Sequence, residues 1–221
     1  MKTKAVFFDL FETLITEFSN GKRISNRKYD YLESLGITTE DFKEEWSSRQ
    51  QKRMIGIFSN YFEVIKDILE NRQLKSNNEA VQILYQERIK EKIIPFLHIR
   101  SDILELLEYL RKNNIKIGLI SNCTEEEVRY WKESELAQYF DDFIFSYEVG
   151  IAKPDIRIYQ LACERISVSS HESIFIGDGG SNELDGAFNA GLRTYHAIWF
   201  NTFIESNYKK LELPGELIKE V

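Results

Sequence analysis

Cysteine, proline and long apolar runs are scarce in this chain of 221 residues. Its two cysteines, Cys123 and Cys163, cannot form the multi-bridge framework of a small secreted domain. No apolar stretch approaches the roughly 20 residues that cross a bilayer. The short apolar run after the amino-terminal Met-Lys-Thr-Lys is too brief for the apolar core of a signal peptide. These absences predict a cytoplasmic protein without a disulfide scaffold and without a membrane partner.

The chain also lacks an excess of basic residues. It has 29 Lys and Arg against 36 Asp and Glu, which gives a net charge of −7. Proteins that bind nucleic acids generally rely on cations that neutralise phosphates, so we expect no nucleic-acid partner. Apolar residues make up 43% of the chain, enough for a sizeable core, and the length allows one or two domains. The sequence carries no signal for an oligomeric state.

What the sequence does contain is a short apolar run, Ala5–Phe8, that ends in an aspartate. The run is typical of a buried strand. A buried carboxylate is costly unless it meets a partner. In open α/β sheets, ligands bind at the carboxyl ends of the strands. Asp9 is therefore a candidate functional residue at the tip of a strand.

The rest of the chain divides into a helical part and an alternating part. Residues 17–96 show helical spacing of apolar side chains, which predicts an insert of four helices. Strands are then predicted over residues 115–120, 143–145, 174–176 and 194–198, with helices between them. The predicted helix caps are Thr39, Ser101 and Thr124, the last in a capping box with Glu127. The alternation predicts a parallel sheet with crossover helices, and no element is predicted after Phe203.

Further polar residues follow the later predicted strands. These are Ser121, Lys153 and Asp178. Because parallel strands bring their carboxyl ends to one edge, we expect these side chains to converge with Asp9. Such a set suits a phosphate substrate with Mg²⁺, which prefers carboxylate oxygens. Lys153 would offset anionic charge, and Ser121 with nearby backbone N–H groups could hold phosphate oxygens.

Four segments, in the expected order, resemble the motifs of the haloacid dehalogenase superfamily. They are Asp9-Leu10-Phe11-Glu12-Thr13, Ser121-Asn122, Lys153-Pro154, and Gly177-Asp178 with Glu183. The helical insert lies between the first two motifs, where that superfamily places its cap. The resemblance covers essentially the whole chain. It implies an α/β fold with a Rossmann-like parallel sheet and helices on both faces, formed by residues 1–16 and 97–221, and an all-helical cap domain over residues 17–96.

The resemblance also implies a hydrolase that acts on a small phosphorylated metabolite with Mg²⁺ as cofactor. Asp9 is then the nucleophile that forms an aspartyl intermediate, and Lys153 is the second catalytic residue. The implied substrate contacts are Thr13, Ser121, Asn122 and Lys153. The implied metal ligands are Asp9, the backbone carbonyl of Phe11, Asp178 and Glu183, with Asn182 and Asp185 as alternatives to Glu183.

Phe11 departs from the superfamily's phosphatases, which carry an Asp there that protonates the leaving group and activates water. A positioned acid or base contributes about 10²–10⁴ in rate, and Phe cannot transfer a proton. Three interpretations follow: a substrate with a good leaving group such as an acyl phosphate, a 2-haloacid dehalogenase, or a catalytically weak protein that binds a phosphorylated ligand. The superfamily's dehalogenases also carry an aromatic residue here, and Arg49 or Arg53 could then bind the halide. The Gly177-Asp178 pair, which the dehalogenases lack, favours the phosphatase.

Overall fold

The computed structural model describes residues 2–25, 29–75 and 77–221, and its centre is a parallel β-sheet. The strands are β1 (Ala5–Phe8), β2 (Phe18–Ser19), β3 (Lys22–Arg23), β4 (Lys116–Ser121), β5 (Asp142–Phe145), β6 (Ser173–Gly177), β7 (Arg193–Ala197) and β8 (Lys209–Leu211). β2 and β3 form a separate antiparallel pair. The other six strands form one sheet in the order β5-β4-β1-β6-β7-β8, with every neighbouring pair parallel. The carboxyl ends of β4, β1 and β6 therefore meet at the centre of one edge.

Helices connect the strands and fill the insert. They are α1 (Tyr31–Leu35), α2 (Thr39–Ser48), α3 (Gln50–Met54), α4 (Tyr61–Asn71), α5 (Asn78–Ile93), α6 (Ser101–Lys112), α7 (Glu125–Val128), α8 (Ser146–Val149), α9 (Ile156–Arg165) and α10 (Glu183–Asn189). A 3₁₀ helix, Ile94–Leu97, joins α5 to the segment before α6. Within the described residues, no helix combines the length and the apolar character needed to cross a bilayer.

Both faces of the central sheet are buried. Val6 and Phe8 of β1 belong to an apolar cluster that includes Leu107 of α6. The alternate β1 residue Phe7 belongs to a second cluster, with Ile158 of α9. Successive strand side chains point to opposite faces, so helices cover both faces of the sheet. The predicted α/β fold with a Rossmann-like parallel sheet is confirmed.

The helical insert, residues 17–96, has an apolar cluster of its own. α4 supplies one face of it, with buried side chains at the spacing of an amphipathic helix. These are Tyr61, Val64, Ile65, Ile68 and Leu69. Leu35, Phe42 and Leu84 from α1, α2 and α5 complete the same cluster. The division into two domains stays a prediction, and its ranges include residues 1, 26–28 and 76, which lie outside the described part.

The predicted strands are correct to within one residue at each end, whereas several local details differ. Thr38, not Thr39, caps α2, and its hydroxyl accepts the Asp41 N–H at 3.1 Å. Arg100 rather than Ser101 precedes α6 as the cap residue, without a side-chain bond. In the predicted capping box, Glu127 accepts the Thr124 N–H at 3.1 Å, but the Thr124 hydroxyl has no partner in the described residues.

Three elements were not predicted. α3 is a five-residue helix, too short to show helical periodicity in the sequence. β8 is an edge strand of three residues, and the 3₁₀ helix Pro214–Lys219 follows it. The described part of the insert therefore contains α1 to α5 instead of four helices. Short elements carry little pattern of their own and form because larger neighbours hold them.

Candidate active site

Asp9 lies at the carboxyl end of β1, at the centre of the sheet edge. Its N–H donates to the carbonyl of Ile176 on the neighbouring strand at 2.8 Å. The side chain is buried, with 6% of the residue exposed. Oδ1 accepts a hydrogen bond from Lys153 Nζ at 2.5 Å, and Oδ2 accepts one from the Thr13 hydroxyl at 3.3 Å. The carboxylate is therefore fixed by one donor on each oxygen.

Asp178 and Glu183 bring two more carboxylates to Asp9. Oxygens from the three groups lie within 4.8 Å of one another, and all three residues are buried. Asp178 follows β6, and its Oδ1 accepts the Gly180 N–H at 2.9 Å. Glu183 opens α10, and its Oε1 accepts the Gly179 N–H at 3.1 Å. Two strand ends and one helix start thus converge on a single acidic cluster.

Lys153 neutralises part of this cluster, because its ammonium contacts both Asp9 and Glu183. Burial alone would lower the pKa of Lys153, but the two carboxylates raise that pKa above its usual range. Burial raises the pKa of Asp9, and Asp178 adds to the shift while Lys153 opposes it. Burial together with Asp9 and Asp178 raises the pKa of Glu183 to about 8.

This donor set fits a divalent metal ion. Three buried carboxylates share one lysine, so like charges remain crowded in a region with little water. The oxygens available are carboxylate oxygens, which are the ligands that Mg²⁺ prefers. Asp178 and Glu183 are therefore the residues that could hold such an ion together with Asp9.

Ser121 and Asn122 end β4 beside this cluster, but they differ in what their side chains do. The Ser121 hydroxyl is buried and has no hydrogen-bond partner among the described residues. Asn122 Nδ2 donates to the Lys153 carbonyl at 2.9 Å, and Oδ1 accepts the Lys153 N–H at 2.8 Å. Asn122 therefore positions the lysine loop, whereas the Ser121 hydroxyl is open to a ligand.

The environment of Phe11 contains no replacement for the missing acid in the described residues. The ammonium of Lys92 lies 5.6 Å from the centre of the Phe11 ring. The neighbouring Glu12 accepts hydrogen bonds from the Thr16 hydroxyl at 2.6 Å and the Glu17 N–H at 2.9 Å. These bonds commit the Glu12 carboxylate to the turn after β1.

The alternatives to Glu183 lie outside the acidic cluster. Asp185 is exposed and accepts a hydrogen bond from the Tyr208 hydroxyl at 2.8 Å. Asn182 is exposed as well. Glu183 is the member of this segment that points towards Asp9.

Two residues that support Asp178 were missed by the sequence analysis. Asn201 Nδ2 donates to Asp178 Oδ2 at 2.9 Å. His196 is fully buried, and its Nε2 donates to the Asp178 carbonyl at 2.8 Å while Nδ1 accepts from the Ser206 hydroxyl at 2.9 Å. His196 sits opposite Gly177 in the β6–β7 register, so the strand order was the signal that could have found it.

A cleft of about 670 Å³ lies between the helical insert and the sheet edge. The insert contributes Gln51 and Met54 of α3, and the sheet side contributes Asn122, Lys153 and Ser181. Of the two arginines considered for a halide, Arg49 is held by Glu45 and by Asp67, the latter at 2.6 Å. The cleft gives a small molecule a route to the lysine loop.

Comparison with known proteins agrees with the resemblance in the motifs. The family model for haloacid dehalogenase-like hydrolases matches residues 3–191. The pyrimidine 5'-nucleotidase YjjG of Escherichia coli K12 is 29% identical over 91% of this chain and 87% of its own. A 2-haloacid dehalogenase from Pseudomonas syringae superposes with a TM-score of 0.69, at 21% identity, over 98% of this chain and 97% of that one. The magnesium complex of the HAD family enzyme BT-2542 from Bacteroides thetaiotaomicron gives 0.63, at 19% identity, over 89% and 93%.

Proposed function

The chain belongs to the haloacid dehalogenase-like hydrolases, and we propose that it hydrolyses a small phosphorylated metabolite in a Mg²⁺-dependent reaction. The observation that carries this proposal is the buried cluster of Asp9, Asp178 and Glu183 around Lys153. A dehalogenation needs no such set of acids. The nucleotidase relative is a phosphate-releasing enzyme by its name, which agrees with the proposal.

Asp9 is the proposed nucleophile. Its carboxylate attacks phosphorus and forms an aspartyl phosphate while the bond to the leaving group breaks, and water then cleaves the acyl phosphate. Lys153 and Thr13 each hold one oxygen of this carboxylate, which orients it for attack. Lys153 also places a positive charge where phosphoryl oxygens would lie, and the unpartnered Ser121 hydroxyl donates to one of them.

Asp9, Asp178 and Glu183, with the backbone carbonyl of Phe11, are the proposed ligands of Mg²⁺. When bound, the ion supplies positive charge that offsets the phosphoryl oxygens during the transfer. Asn201 and His196 hold the side chain and the carbonyl of Asp178, so they keep this ligand in place.

The two-domain arrangement is part of this proposal. Residues 1–16 and 97–221 form the core domain, and residues 17–96 form a cap that selects the substrate. The separate apolar cluster of the insert supports this division, and so does the cleft that α3 shares with Asn122 and Lys153.

A 2-haloacid dehalogenase is the second candidate, and Phe11 is the observation that favours it. A halide leaves without a proton, so the missing acid has no cost in that reaction. A solved dehalogenase shares the fold. A third outcome is a protein that binds a phosphorylated ligand and turns it over poorly.

Hydrolysis assays on phosphate esters, acyl phosphates and 2-haloacids, each with and without Mg²⁺, separate the candidates. We expect phosphate release that requires Mg²⁺ and disappears in Asp9→Asn. Asp185→Asn serves as a control, because Asp185 is an exposed acid of the same helix as Glu183 and bonds only to Tyr208 in the described part. Halide release without Mg²⁺ would instead establish the dehalogenase. Binding of a phosphorylated compound without turnover would establish the binding protein.

A further inference from the structure

Unpartnered polar atoms gather around the end of β4. Among the residues that the structure describes, six buried side-chain nitrogen or oxygen atoms have no hydrogen-bond partner. Three of the six belong to Arg53, Ser121 and Thr124. The proposed reaction uses the Ser121 hydroxyl, but it assigns nothing to Arg53 Nε or to the Thr124 hydroxyl. Buried polar groups are normally satisfied, so these two groups require an explanation.

Arg53 differs from the other buried cations of the described part. Arg49, Arg88, Lys92 and Lys153 each contact at least one carboxylate. Arg53 is 5% exposed and forms no ion pair with any described residue. Its one hydrogen bond there runs to the Trp46 carbonyl at 3.3 Å, and its guanidinium lies 4.0 Å from the centre of the Trp46 ring. Most of its five N–H groups therefore remain unused.

The guanidinium nevertheless carries its charge. Burial lowers the pKa of Arg53 to about 10, and the charge of Arg88 adds to this while Glu127 and Glu126 oppose it. The group is still protonated at neutral pH. A buried cation without a hydrogen-bonded anion is costly, which is the expected state of a site that waits for an anionic ligand.

Arg53 and Thr124 approach the same region from opposite sides of the cleft. Arg53 belongs to α3, whose Gln51 and Met54 line the cleft above Asn122 and Lys153. Glu127 links the two groups, because it accepts the Thr124 N–H at 3.1 Å and acts on the charge of Arg53. Thr124 follows β4 by three residues, directly beyond the Ser121 hydroxyl that the phosphoryl group would use.

The acids near Arg53 are already neutralised by other cations. Arg88 contacts Glu126 at 2.8 Å and Glu127 at 3.0 Å, and Lys92 contacts Glu127 at 3.1 Å. An anion that enters beside Arg53 would therefore meet a balanced background. The free guanidinium would be its main partner.

We infer that Arg53 and Thr124 form a second oxyanion subsite, which binds a carboxylate or phosphate carried by the leaving group of the substrate. This inference rests on the proposed function and narrows the substrate to phosphate esters with a second anionic group. The guanidinium can grip two oxygens of that group, and the Thr124 hydroxyl can donate to it.

The test compares phenyl phosphate, 3-carboxyphenyl phosphate and benzene-1,3-diyl bisphosphate as substrates. The wild type should prefer one of the two doubly anionic esters by about 10- to 100-fold in kcat/KM, as a charged hydrogen-bonded contact implies. The preferred ester identifies the group as carboxylate or phosphate. Arg53→Gln should abolish the preference through KM and leave phenyl phosphate turnover within about threefold, because an uncharged leaving group makes no charged contact. Arg53→Lys should retain part of the preference.

Thr124→Val is the second variant, since it removes the hydroxyl and keeps the shape. It should reduce the preference by about 2- to 10-fold, the effect of a neutral hydrogen bond. Arg49→Gln is the matched control, because Arg49 is a buried arginine of the same insert with its own carboxylate partners. It should lower the melting temperature without changing the preference.

Calorimetry in an Asp9→Asn background supplies a readout that needs no turnover. There 3-carboxyphenyl phosphate or the bisphosphate should bind more tightly than phenyl phosphate, and Arg53→Gln should remove the difference. Absence of any catalytic turnover overturns the proposed function, while the binding comparison still decides on the subsite. Equal binding of all three esters, or an equal loss for all three in Arg53→Gln, overturns the subsite and leaves Arg53 a structural residue.

Discussion

Phe11 is the residue at which the chemistry of this site departs from its surroundings. It lies two residues after Asp9, with the Lys92 ammonium 5.6 Å from its ring centre. Without a proton donor, the leaving oxygen must depart as an anion, so the rate should depend steeply on the leaving group. Phe11→Asp should accelerate the hydrolysis of alkyl phosphates by up to about 10²–10⁴, and that of acyl or aryl phosphates less. Steady-state kinetics on a graded series of leaving groups measures the change.

Phe11→Asn is the control for this substitution. It introduces a polar side chain of the same size as Asp but cannot exchange a proton at neutral pH, so it should leave the dependence on the leaving group unchanged. An equal acceleration by Asn and Asp would mean that the aromatic ring merely obstructs the site. In that case the missing acid would not explain the rate.

The convergence of Asp9, Lys153 and Asp178 was predictable because each follows a strand with a clear apolar pattern. Parallel topology then placed their side chains at one edge. The partners of these residues were less accessible. Asn201 reaches Asp178 from a loop without periodicity, and the unpaired state of Arg53 depends on which carboxylates fold next to it. Such contacts depend on tertiary packing, which one sequence does not encode locally.

At the scale of elements, α5 and α7 form an ionic contact between the insert and the sheet. Glu127 of α7 contacts Arg88 and Lys92 of α5. Burial would raise the pKa of Glu127, but Lys92 and Arg88 outweigh it and hold that pKa well below its usual range. Removing one partner of a buried ion pair costs about 3–5 kcal/mol. Glu127→Gln should therefore lower the free energy of unfolding by about that amount, as measured by urea denaturation at neutral pH.

The same contact should make stability depend on pH in a defined direction. Because the folded-state pKa of Glu127 is depressed, its contribution is fully present above the ordinary value of 4.5 and declines as the pH falls below it. Glu127→Gln should therefore make the loss of stability between pH 5 and pH 3 shallower. Glu125→Gln is the neighbouring control, since Glu125 contacts the exposed Arg129 and should cost less than about 1 kcal/mol. Identical acid profiles for wild type and Glu127→Gln would contradict this account.

On the scale of the whole molecule, the acidic cluster couples metal binding to folding. Asp9, Asp178 and Glu183 come from sequence-distant elements and meet only in the native sheet, so Mg²⁺ should bind the folded chain alone. At a concentration about 100-fold above its dissociation constant, a ligand of this kind stabilises by about 2.7 kcal/mol, or about 5–10 °C in melting temperature for a chain of this size. Thermal unfolding across a MgCl₂ titration measures the shift. Asp178→Ala should abolish it, whereas Asp185→Ala, which removes an exposed acid outside the cluster, should retain it. A shift that survives in Asp178→Ala would place the ion elsewhere, because the loss of one of three shared carboxylates cannot leave the affinity of this cluster intact.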